Sequence, residues 1–400
     1  MEGKRLIIVL PSMMMIVVLL CTIFEGSLAT SSIVFSLSGN AYPKGAYFVD
    51  IHIGDQAEPF ELHVDTGSSL TWVKCVEPFE NYAQPQEGLY KPPKHSIVQC
   101  QDPLCAVVQG KKYNCENTTN RCDYIFEYDD GSLAHGYLVN DHFHLRLFNG
   151  SIIRSLLVFG CGYKQTGAFD GAGIFGLSRG PLGFSSQIHS QGLTQQVTSH
   201  CLSSRGGGFL FIGDDLVPPS GISWTPITST SNHGQDYGSG PVELLFNGSS
   251  TQVRGLQFIF DSGSDLSYLN HPPYQDTLDW ISDALKRTPL IRTQPMGIFP
   301  ICWKHNKSPI RSFDDVKNYF KSLTLNFTNV PNVKLNLPVH AYLIRVGVNV
   351  CLAILDCGQV DVENPNVIGV FSMQDKLMIY DNVNHRIGWA SSNCNMPAWR

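Results

Sequence analysis

The sequence has little charge and no run of one sign. Only 16% of its 400 residues are charged, and 28 basic against 34 acidic residues give a net charge of -6. The basic residues are scattered, so the chain lacks the positive patch that proteins use to bind phosphate backbones. We therefore expect no nucleic-acid partner. The 43% of hydrophobic residues suffice for one large core or two medium ones.

After its N-terminus the sequence lacks any second long apolar run. The first run extends from Leu6 to Phe24 behind a basic start, and small residues lead up to Ala29. This order predicts a secretory signal peptide over residues 1–29. The alternative is an uncleaved membrane anchor, since the run is nearly long enough to span a bilayer. Pro11 and the Ser-Leu-Ala ending favour cleavage, after which we expect no stable membrane anchor.

The sequence also lacks the short Cys-X-X-Cys pairs that are typical of structural zinc sites. Its twelve cysteines include Cys21 in the predicted signal, so an odd number remains and at least one thiol is unpaired. In an exported chain the cysteine cluster predicts disulfides, and we expect neither a metal nor another cofactor. The cluster consists of Cys100, Cys105, Cys115 and Cys122.

Five Asn-X-Ser/Thr sequons agree with export. Sequons also arise by chance, so they support the signal peptide without proving it. The candidate glycosylation sites are Asn117, Asn149, Asn247, Asn306 and Asn326.

Short apolar segments between Gly, Asn, Asp and Pro predict an all-β fold with a few short accessory helices. YFVDIHIG, HFHLRLF and KLMIYD are examples. The best helix candidate is Pro273 to Arg287, where apolar residues recur at helical spacing. FSSQIHSQ after Gly183 and FDDVKNYFK from Phe313 are shorter candidates. His142 and His144 share one face of a strand, and surface histidines are favoured there over a metal site.

Two glycine-rich motifs overlap on Gly176. GAGIFG, ending there, matches a dinucleotide-binding pattern, and GLSRG, starting there, matches a nucleophile elbow around Ser178. The first has no surrounding βαβ pattern and no acidic residue downstream to hold a ribose. The second needs a parallel sheet with downstream Asp and His partners. A serine hydrolase that acts through Ser178 is therefore a remote alternative.

One turn motif occurs twice. LHVDTGSSLTWVKC and FIFDSGSDLSYLN each consist of an apolar strand, an Asp, a hydroxyl residue, a Gly and a second hydroxyl residue. An apolar-apolar-Gly segment follows each copy at a similar distance, ending at Gly176 and at Gly369, which indicates a duplicated chain. The candidate catalytic residues are Asp65 and Asp261, and their loop partners are Thr66, Gly67, Ser68, Ser262, Gly263 and Ser264.

These motifs resemble those of the pepsin-type aspartic proteases over nearly the whole mature chain. FGCGY, HCLSSRGGGFLFIGDDLVP and MIYDNVNHRIGWA further resemble the nucellin-like plant branch. The resemblance implies a bilobal all-β fold with one catalytic Asp in each lobe. We place the N-terminal lobe over residues 30–206 and the C-terminal lobe over residues 207–400.

The implied chemistry is peptide-bond hydrolysis by a water activated between two carboxyl groups that share one proton. Aspartic proteases are themselves the reference example of this coupling. The resemblance implies that Thr66 and Ser262 lock the two loops together, while Ser68 and Ser264 hydrogen-bond the carboxylates. We expect a monomer that cleaves protein or peptide substrates at acidic pH between apolar residues. We expect it in the apoplast, with the vacuole as the second destination.

The segment from Cys122 to Asp141 predicts a hairpin with Asp130 and Gly131 near its tip. By the resemblance, Tyr128 is the tyrosine of a flap that closes over the substrate. Trp72 matches its hydrogen-bonding partner. The alternative for Tyr128 is an ordinary strand aromatic.

Two positions depart from the usual family pattern. Asp265 comes directly after Ser264, at a position where the family usually has Ser or Thr. Our hypothesis is that Asp265 raises the apparent pKa of the catalytic pair by like-charge repulsion. The alternative is a solvated turn aspartate. Val370 replaces the usual Asp after Ile-Gly, which predicts reduced activity.

The resemblance also suggests the cysteine pairing. Phe79 and Tyr82 stand where the branch usually has cysteines, which suggests that one whole disulfide is missing. We predict a Cys302–Cys351 disulfide and Cys357 as the free thiol.

The chain has little room for an inhibitory pro-segment before the predicted first strand at Gly45 to Gly54. The alternative function is a non-catalytic binding or inhibitor protein of the xylanase-inhibitor kind. Such proteins resemble proteases but lose catalytic groups, whereas both Asp65 and Asp261 are present here.

Overall fold

Strands dominate the fold, as the short apolar segments predict. The computed structural model describes residues 31–76, 88–110, 115, 120–228, 234–359 and 366–395. The predicted signal peptide, Asn117, Phe79 and Tyr82 lie outside the described residues. Within them, the four α-helices are α1 (Pro103–Gln109), α2 (Phe184–Ser190), α3 (His271–Leu285) and α4 (Val370–Met373).

Twenty-five strands occur in the described part of the chain. The strands of the first half are β1 (Ile33–Asn40), β2 (Ala46–Ile53), β3 (Phe60–Asp65), β4 (Trp72–Lys74), β5 (Asp123–Glu127), β6 (Leu133–Arg146), β7 (Ile152–Thr166), β8 (Gly173–Gly176), β9 (Val197–Leu202), β10 (Gly208–Ile212), β11 (Ser223–Pro226) and β12 (Gly238–Phe246). Those of the second half are β13 (Ser249–Ser250), β14 (Leu256–Phe260), β15 (Ser267–Leu269), β16 (Leu290–Arg292), β17 (Cys302–His305), β18 (Leu323–Phe327), β19 (Lys334–Leu337), β20 (Leu343–Val346), β21 (Asn349–Leu352), β22 (Ile354–Asp356), β23 (Asn366–Ile368), β24 (Lys376–Asp381) and β25 (Arg386–Ser391).

The largest sheet connects the two lobes. Its strand order is β11-β25-β24-β9-β10-β1-β2-β3-β8-β4-β7-β6-β5, so the last two strands of the chain extend a sheet begun by the first. A second sheet, β19-β18-β12-β14-β23-β15-β22, and a third, β16-β17-β21-β20, complete the C-terminal half. The bilobal all-β fold is therefore confirmed. The lobe bounds 30–206 and 207–400 stay a prediction, since the large sheet contains strands from both sides of residue 206.

The predicted first strand at Gly45 to Gly54 is in fact the second. The strand β1 precedes it and lies between β10 and β2. Its register pairs Phe35 with Leu210 on one side and Leu37 with Val49 on the other. The strand β1 was not predicted from the sequence, although its eight residues make it as long as β2. Most of the short segment after the predicted cleavage site therefore belongs to the folded sheet.

Buried apolar residues alternate with more exposed residues along the strands, and the buried side chains form the cores. In β3, Phe60, Leu62 and Val64 are buried while the residues between them are partly exposed. Rings such as Phe175 and Phe184 pack in the N-terminal core with centroids 4.7 Å apart. Burial of this kind stabilises by roughly 25 cal/mol per Å² of apolar area.

The helix predictions succeed where an apolar stripe is long. The helix α3 covers the predicted Pro273 region and buries Tyr274, Leu278, Ile281 and Leu285. The predicted helix α2 after Gly183 is also present. Among the described residues, no helix reaches the length and apolar character that a membrane crossing requires.

The helix predicted from Phe313 is wrong, and a short helix was missed. Phe313–Asp315 forms one 3-10 turn, closed by Ser312 and Asp315 in a capping box. A single short turn buries too little to propagate. The missed helix α1 starts at an Asp-Pro pair, where the Asp102 carboxylate accepts a 2.8 Å hydrogen bond from Leu104 N. Asp at the N-cap followed by Pro is a recognisable start signal.

The structure pairs ten cysteines. The pairs are Cys75–Cys161, Cys100–Cys115, Cys105–Cys122, Cys201–Cys394 and Cys302–Cys351. Cys302 and Cys351 stand opposite each other in the register of β17 and β21. Cys357 is buried and is the free cysteine of the described residues.

Removing the bridge in the third sheet should destabilise the protein. We expect Cys302→Ala with Cys351→Ala to lower the free energy of unfolding by about 2–4 kcal/mol, because the bridge restricts the unfolded chain. Urea unfolding under non-reducing conditions measures this. The control is Cys357→Ala, which leaves every pair intact and should cost about 1 kcal/mol or less. Equal losses in both proteins would contradict the pairing.

Candidate active site

Each candidate catalytic Asp stands at the end of a strand that has a parallel neighbour. Asp65 ends β3 and lies opposite Gly176 of β8. Asp261 follows β14, and its N–H donates to the carbonyl of Ile368 in β23 at 3.0 Å. The two apolar-apolar-Gly segments are thus the strands that support the loops. GAGIFG has a structural role here and is no nucleotide-binding turn.

Glycine is required in both loops because each loop crosses the opposite carboxyl group. A Cβ on Gly67 would lie 2.5 Å from Asp261 Oδ1, and a Cβ on Gly263 would lie 2.5 Å from Asp65 Oδ1. Real Cβ atoms do not approach other atoms so closely. The two glycines therefore allow the carboxyl groups to meet.

Four buried hydrogen bonds lock the two loops together. Thr66 N donates to Ser262 Oγ at 3.0 Å, and Ser262 N donates to Thr66 Oγ1 at 2.9 Å. Each hydroxyl then donates to the opposite strand. Thr66 Oγ1 donates to Phe260 O at 3.0 Å, and Ser262 Oγ donates to Val64 O at 2.9 Å. The exchange is symmetric, and it fixes the distance between the loops.

Each carboxyl group also accepts hydrogen bonds from its own loop. Asp65 Oδ1 accepts from Gly67 N at 2.8 Å and from Ser68 N at 3.2 Å, and Ser68 Oγ donates to Asp65 Oδ2. Such bonds favour the ionised form. The corresponding donors to Asp261 are Gly263 N at 2.8 Å and Ser264 Oγ at 2.6 Å.

Burial nevertheless raises the pKa of both carboxyl groups above the ordinary value. For Asp65, burial outweighs the hydrogen bonds from Ser68 and Gly67. For Asp261, burial is the largest cause of the raised pKa, and the charge of Asp65 adds to it. One carboxyl therefore holds its proton to a higher pH than an isolated Asp would. The pair can supply an acid and a base together.

The hairpin of β5 and β6 reaches the catalytic loop through an aromatic pair. Trp72 Nε1 donates to the hydroxyl of Tyr128 at 2.7 Å. That hydroxyl is also hydrogen-bonded to Ser68, and the charge of Asp65 adds to the burial that raises the Tyr128 pKa. The structure thus places the predicted flap tyrosine beside the first carboxyl group.

Phe169 completes this aromatic cluster and was missed in the sequence. Its ring lies edge-on to Trp72 and Tyr128, with centroids 5.2 and 5.3 Å away. It follows β7 in an irregular loop, so no periodic pattern marked it. The cluster forms an apolar wall under the hairpin.

Ser178 cannot act as an exposed nucleophile. It is 1% exposed, and its N–H donates to Ser68 O at 3.0 Å. The GLSRG segment therefore supports the first loop. His142 is exposed and His144 is half-buried. Within the described ranges, no group of three His, Cys, Asp or Glu side chains could hold a metal ion.

The two unusual residues have different surroundings. Val370 is fully buried, and its N–H donates to Ser264 O at 2.9 Å, so the backbone supports the loop at this point. Asp265 is half-buried and accepts a 2.8 Å hydrogen bond from Leu266 N and another from the hydroxyl of Tyr268. The predicted effects of both residues on activity stay predictions.

Four sequon asparagines lie in the described residues. Asn149, Asn247 and Asn306 are exposed. Asn326 is half-buried in β18, and its amide donates to Glu243 Oε2 at 3.3 Å. A glycan fits the three exposed sites more easily.

Removing one locking hydroxyl should weaken the fold and reveal the coupling. Thr66→Val leaves the buried Ser262 N–H without an acceptor, so we expect a loss of about 1–3 kcal/mol in the free energy of unfolding. Urea unfolding of Thr66→Val, Ser262→Ala and the double variant gives a cycle. We expect non-additivity above about 0.5 kcal/mol, because both hydroxyls belong to one network. Additive losses would contradict the lock.

Comparison with known proteins agrees with this geometry. Residues 47–214 match a family model described as xylanase inhibitor N-terminal, and residues 243–391 match one described as xylanase inhibitor C-terminal. An aspartic proteinase of rice (Oryza sativa subsp. japonica) is 37% identical over 385 residues, which cover 92% of each chain.

Solved structures of similar fold include two kinds of protein. Basic 7S globulin from soybean has a TM-score of 0.72 and 16% identity, over 92% of this chain and 96% of the globulin. The aspartic proteinase from Irpex lacteus has a TM-score of 0.63 and 16% identity, over 92% of this chain and 100% of that chain. These structures show the fold, and the rice relative together with the two matched family models shows that the chain belongs to the pepsin-type plant aspartic proteases.

Proposed function

We propose that the protein is a secreted aspartic endopeptidase that hydrolyses peptide bonds at acidic pH. The observation that carries the proposal is the crossing of the two loops, in which Gly67 lies against Asp261 and Gly263 lies against Asp65. The two carboxyl groups are hydrogen-bonded to each other. Their mutual repulsion destabilises a fold unless they share a proton.

The shared proton defines the reaction. The ionised carboxyl takes a proton from a water molecule while the water oxygen attacks the carbonyl carbon of the substrate. The protonated carboxyl donates to the carbonyl oxygen at the same time. The resulting diol intermediate collapses when the carboxyl that gained the water proton gives it to the amide nitrogen. The other carboxylate takes a proton from one hydroxyl, the carbonyl re-forms and the C–N bond breaks. Water attacks directly, so no acyl-enzyme forms.

The hairpin of β5 and β6 covers the substrate in this proposal. Its Tyr128 is hydrogen-bonded to Trp72 and lies beside the first catalytic loop, while Phe169 provides apolar surface below it. An extended peptide can bind under a hairpin through backbone hydrogen bonds. Apolar residues flanking the cut would pack against the aromatic cluster.

The second candidate is a non-catalytic binding protein of the same fold. The names of the two matched family models and the likeness to a seed globulin favour it. The retained carboxyl pair and its hydrogen bonds favour the enzyme. Digestion of haemoglobin at acidic pH that pepstatin blocks would support the enzyme, and a folded protein that never cleaves would support the binding protein.

The proposed export follows from the N-terminal apolar run and the sequons. The nucellin-like assignment and the monomeric state belong to the same proposal. N-terminal sequencing of the protein from culture medium tests the cleavage after Ala29.

Removing either carboxylate should abolish proteolysis. We expect Asp65→Asn and Asp261→Asn each to lower the rate of haemoglobin digestion by about 10³-fold or more, because neither an amide nor an unpaired acid supplies both proton transfers. The matched control is Asp50→Asn, which changes the same charge at an exposed position of β2 and should keep full activity. Undiminished digestion by either active-site variant would overturn the proposal.

The raised pKa values also predict how stability depends on pH. Folding raises the pKa of Asp65 and Asp261, so their contribution to stability is present below the unfolded pKa and is lost as pH rises through the folded values. We expect the melting temperature to fall from pH 4 to pH 8 by more in the native protein than in Asp261→Asn. Parallel curves would contradict the burial argument.

A further inference from the structure

A groove of about 520 Å³ opens beside the second catalytic loop. One wall is formed by Tyr42, Pro43 and Gly45, which connect β1 to β2. The opposite wall is the turn that precedes β17, with Met296 and Phe299. The floor includes residue 265, four positions after the catalytic Asp261. A substrate held at the carboxyl pair would extend past this groove.

Asp265 is the acidic group of the groove. It is half-buried, and its hydrogen bonds to Leu266 N and the Tyr268 hydroxyl fix its carboxylate in place. A carboxylate can accept about four hydrogen bonds. Acceptor capacity therefore remains for a ligand.

No cation of the protein neutralises this carboxylate within the described residues that line the groove. None of them is Lys, Arg or His. The neighbouring Lys44 lies elsewhere, with its Nζ 3.6 Å from Glu61 and 4.0 Å from the centre of the Phe48 ring. The nearby His63 is buried, which lowers its pKa and disfavours the charged imidazolium. The described groove residues therefore give the Asp265 carboxylate no charged partner, and a cationic ligand would supply one.

The walls suit a cation on a long aliphatic stem. Tyr42 and Phe299 meet edge to face with centroids 6.2 Å apart, and Tyr42 is 45% exposed. Met296 adds a flexible apolar surface. Lys and Arg side chains place their stems along apolar surfaces and their charged groups on polar ones.

We propose that Asp265 is a specificity-determining residue that binds a Lys or Arg side chain of the substrate peptide in this groove. The inference rests on the proposed function, whose substrates it narrows to peptides with a basic residue near the cut. The charged group would hydrogen-bond the Asp265 carboxylate, and the stem would pack between Tyr42 and Met296. The scissile bond itself stays between the residues at the catalytic pair.

Matched peptides test this inference by cleavage. A peptide series carries Lys, or its uncharged analogue norleucine, at each of several positions on both sides of the cut. We expect one position at which kcat/KM for Lys exceeds that for norleucine by about tenfold in the native protein. In Asp265→Asn and Asp265→Ser the ratio at that position should fall to about one.

The ratio is compared within each protein, so a general loss of activity does not affect it. Asp50→Asn is the matched control, since it removes the same charge outside the groove and should keep the native ratio. Because burial raises the pKa of Asp265, the assay is run at the highest pH that supports turnover. A native protein that cleaves with a ratio of one at every position would overturn the inference. A ratio that survives in both Asp265 variants would also overturn it.

Binding separates this inference from the proposed activity. Fluorescence anisotropy with labelled peptides is measured on Asp65→Asn, with and without Asp265→Asn. We expect the Lys peptide to bind about tenfold more tightly than the norleucine peptide only when Asp265 is present. That result together with no cleavage by the native protein would support the groove and refute the catalytic proposal. Equal binding of both peptides would refute the groove.

Discussion

The structure depends on holding two carboxyl groups together at the meeting point of two loops. Asp65 and Asp261 come from distant parts of the chain, and each lies against a glycine of the opposite loop. When both groups are ionised, they repel each other, and this repulsion must be opposed. The exchange of hydrogen bonds between Thr66 and Ser262 opposes it from within the loops. The largest sheet contains strands from both ends of the chain, so it also holds the two lobes together.

The internal duplication explains why this arrangement is built twice. In the first half, Gly176 N donates to Thr71 Oγ1 at 3.1 Å, and in the second, Gly369 N donates to Ser267 Oγ at 3.2 Å. Neither glycine has space for a Cβ, because a loop carbonyl or backbone carbon fills it. The same local solution thus supports both loops. The GAGIFG segment looks like a nucleotide motif only because this support needs small residues.

The sequence could predict what is local or repeated, and little else. The repeated Asp motif identifies both loops because each is a short stretch with strict steric demands, as Gly67 shows. The strand β1 and the ring of Phe169 acquire their roles only from distant partners, Leu210 and Trp72, so no local pattern marks them. The helix predicted at Phe313 is wrong in the opposite way, since Val316 and Phe320 recur at helical spacing and are buried, yet the chain forms only one 3-10 turn.

The two copies of the duplication differ just after the catalytic loops. Residue 69 is Ser in the first copy, and the equivalent residue of the second copy is Asp265. In the same register, Trp72 corresponds to Tyr268. In the first copy, Trp72 donates to Tyr128 of the hairpin. In the second copy, the Tyr268 hydroxyl donates to the Asp265 carboxylate, which lines the groove. At equivalent positions of the two copies, one lobe therefore presents an aromatic cluster and the other an acidic side chain.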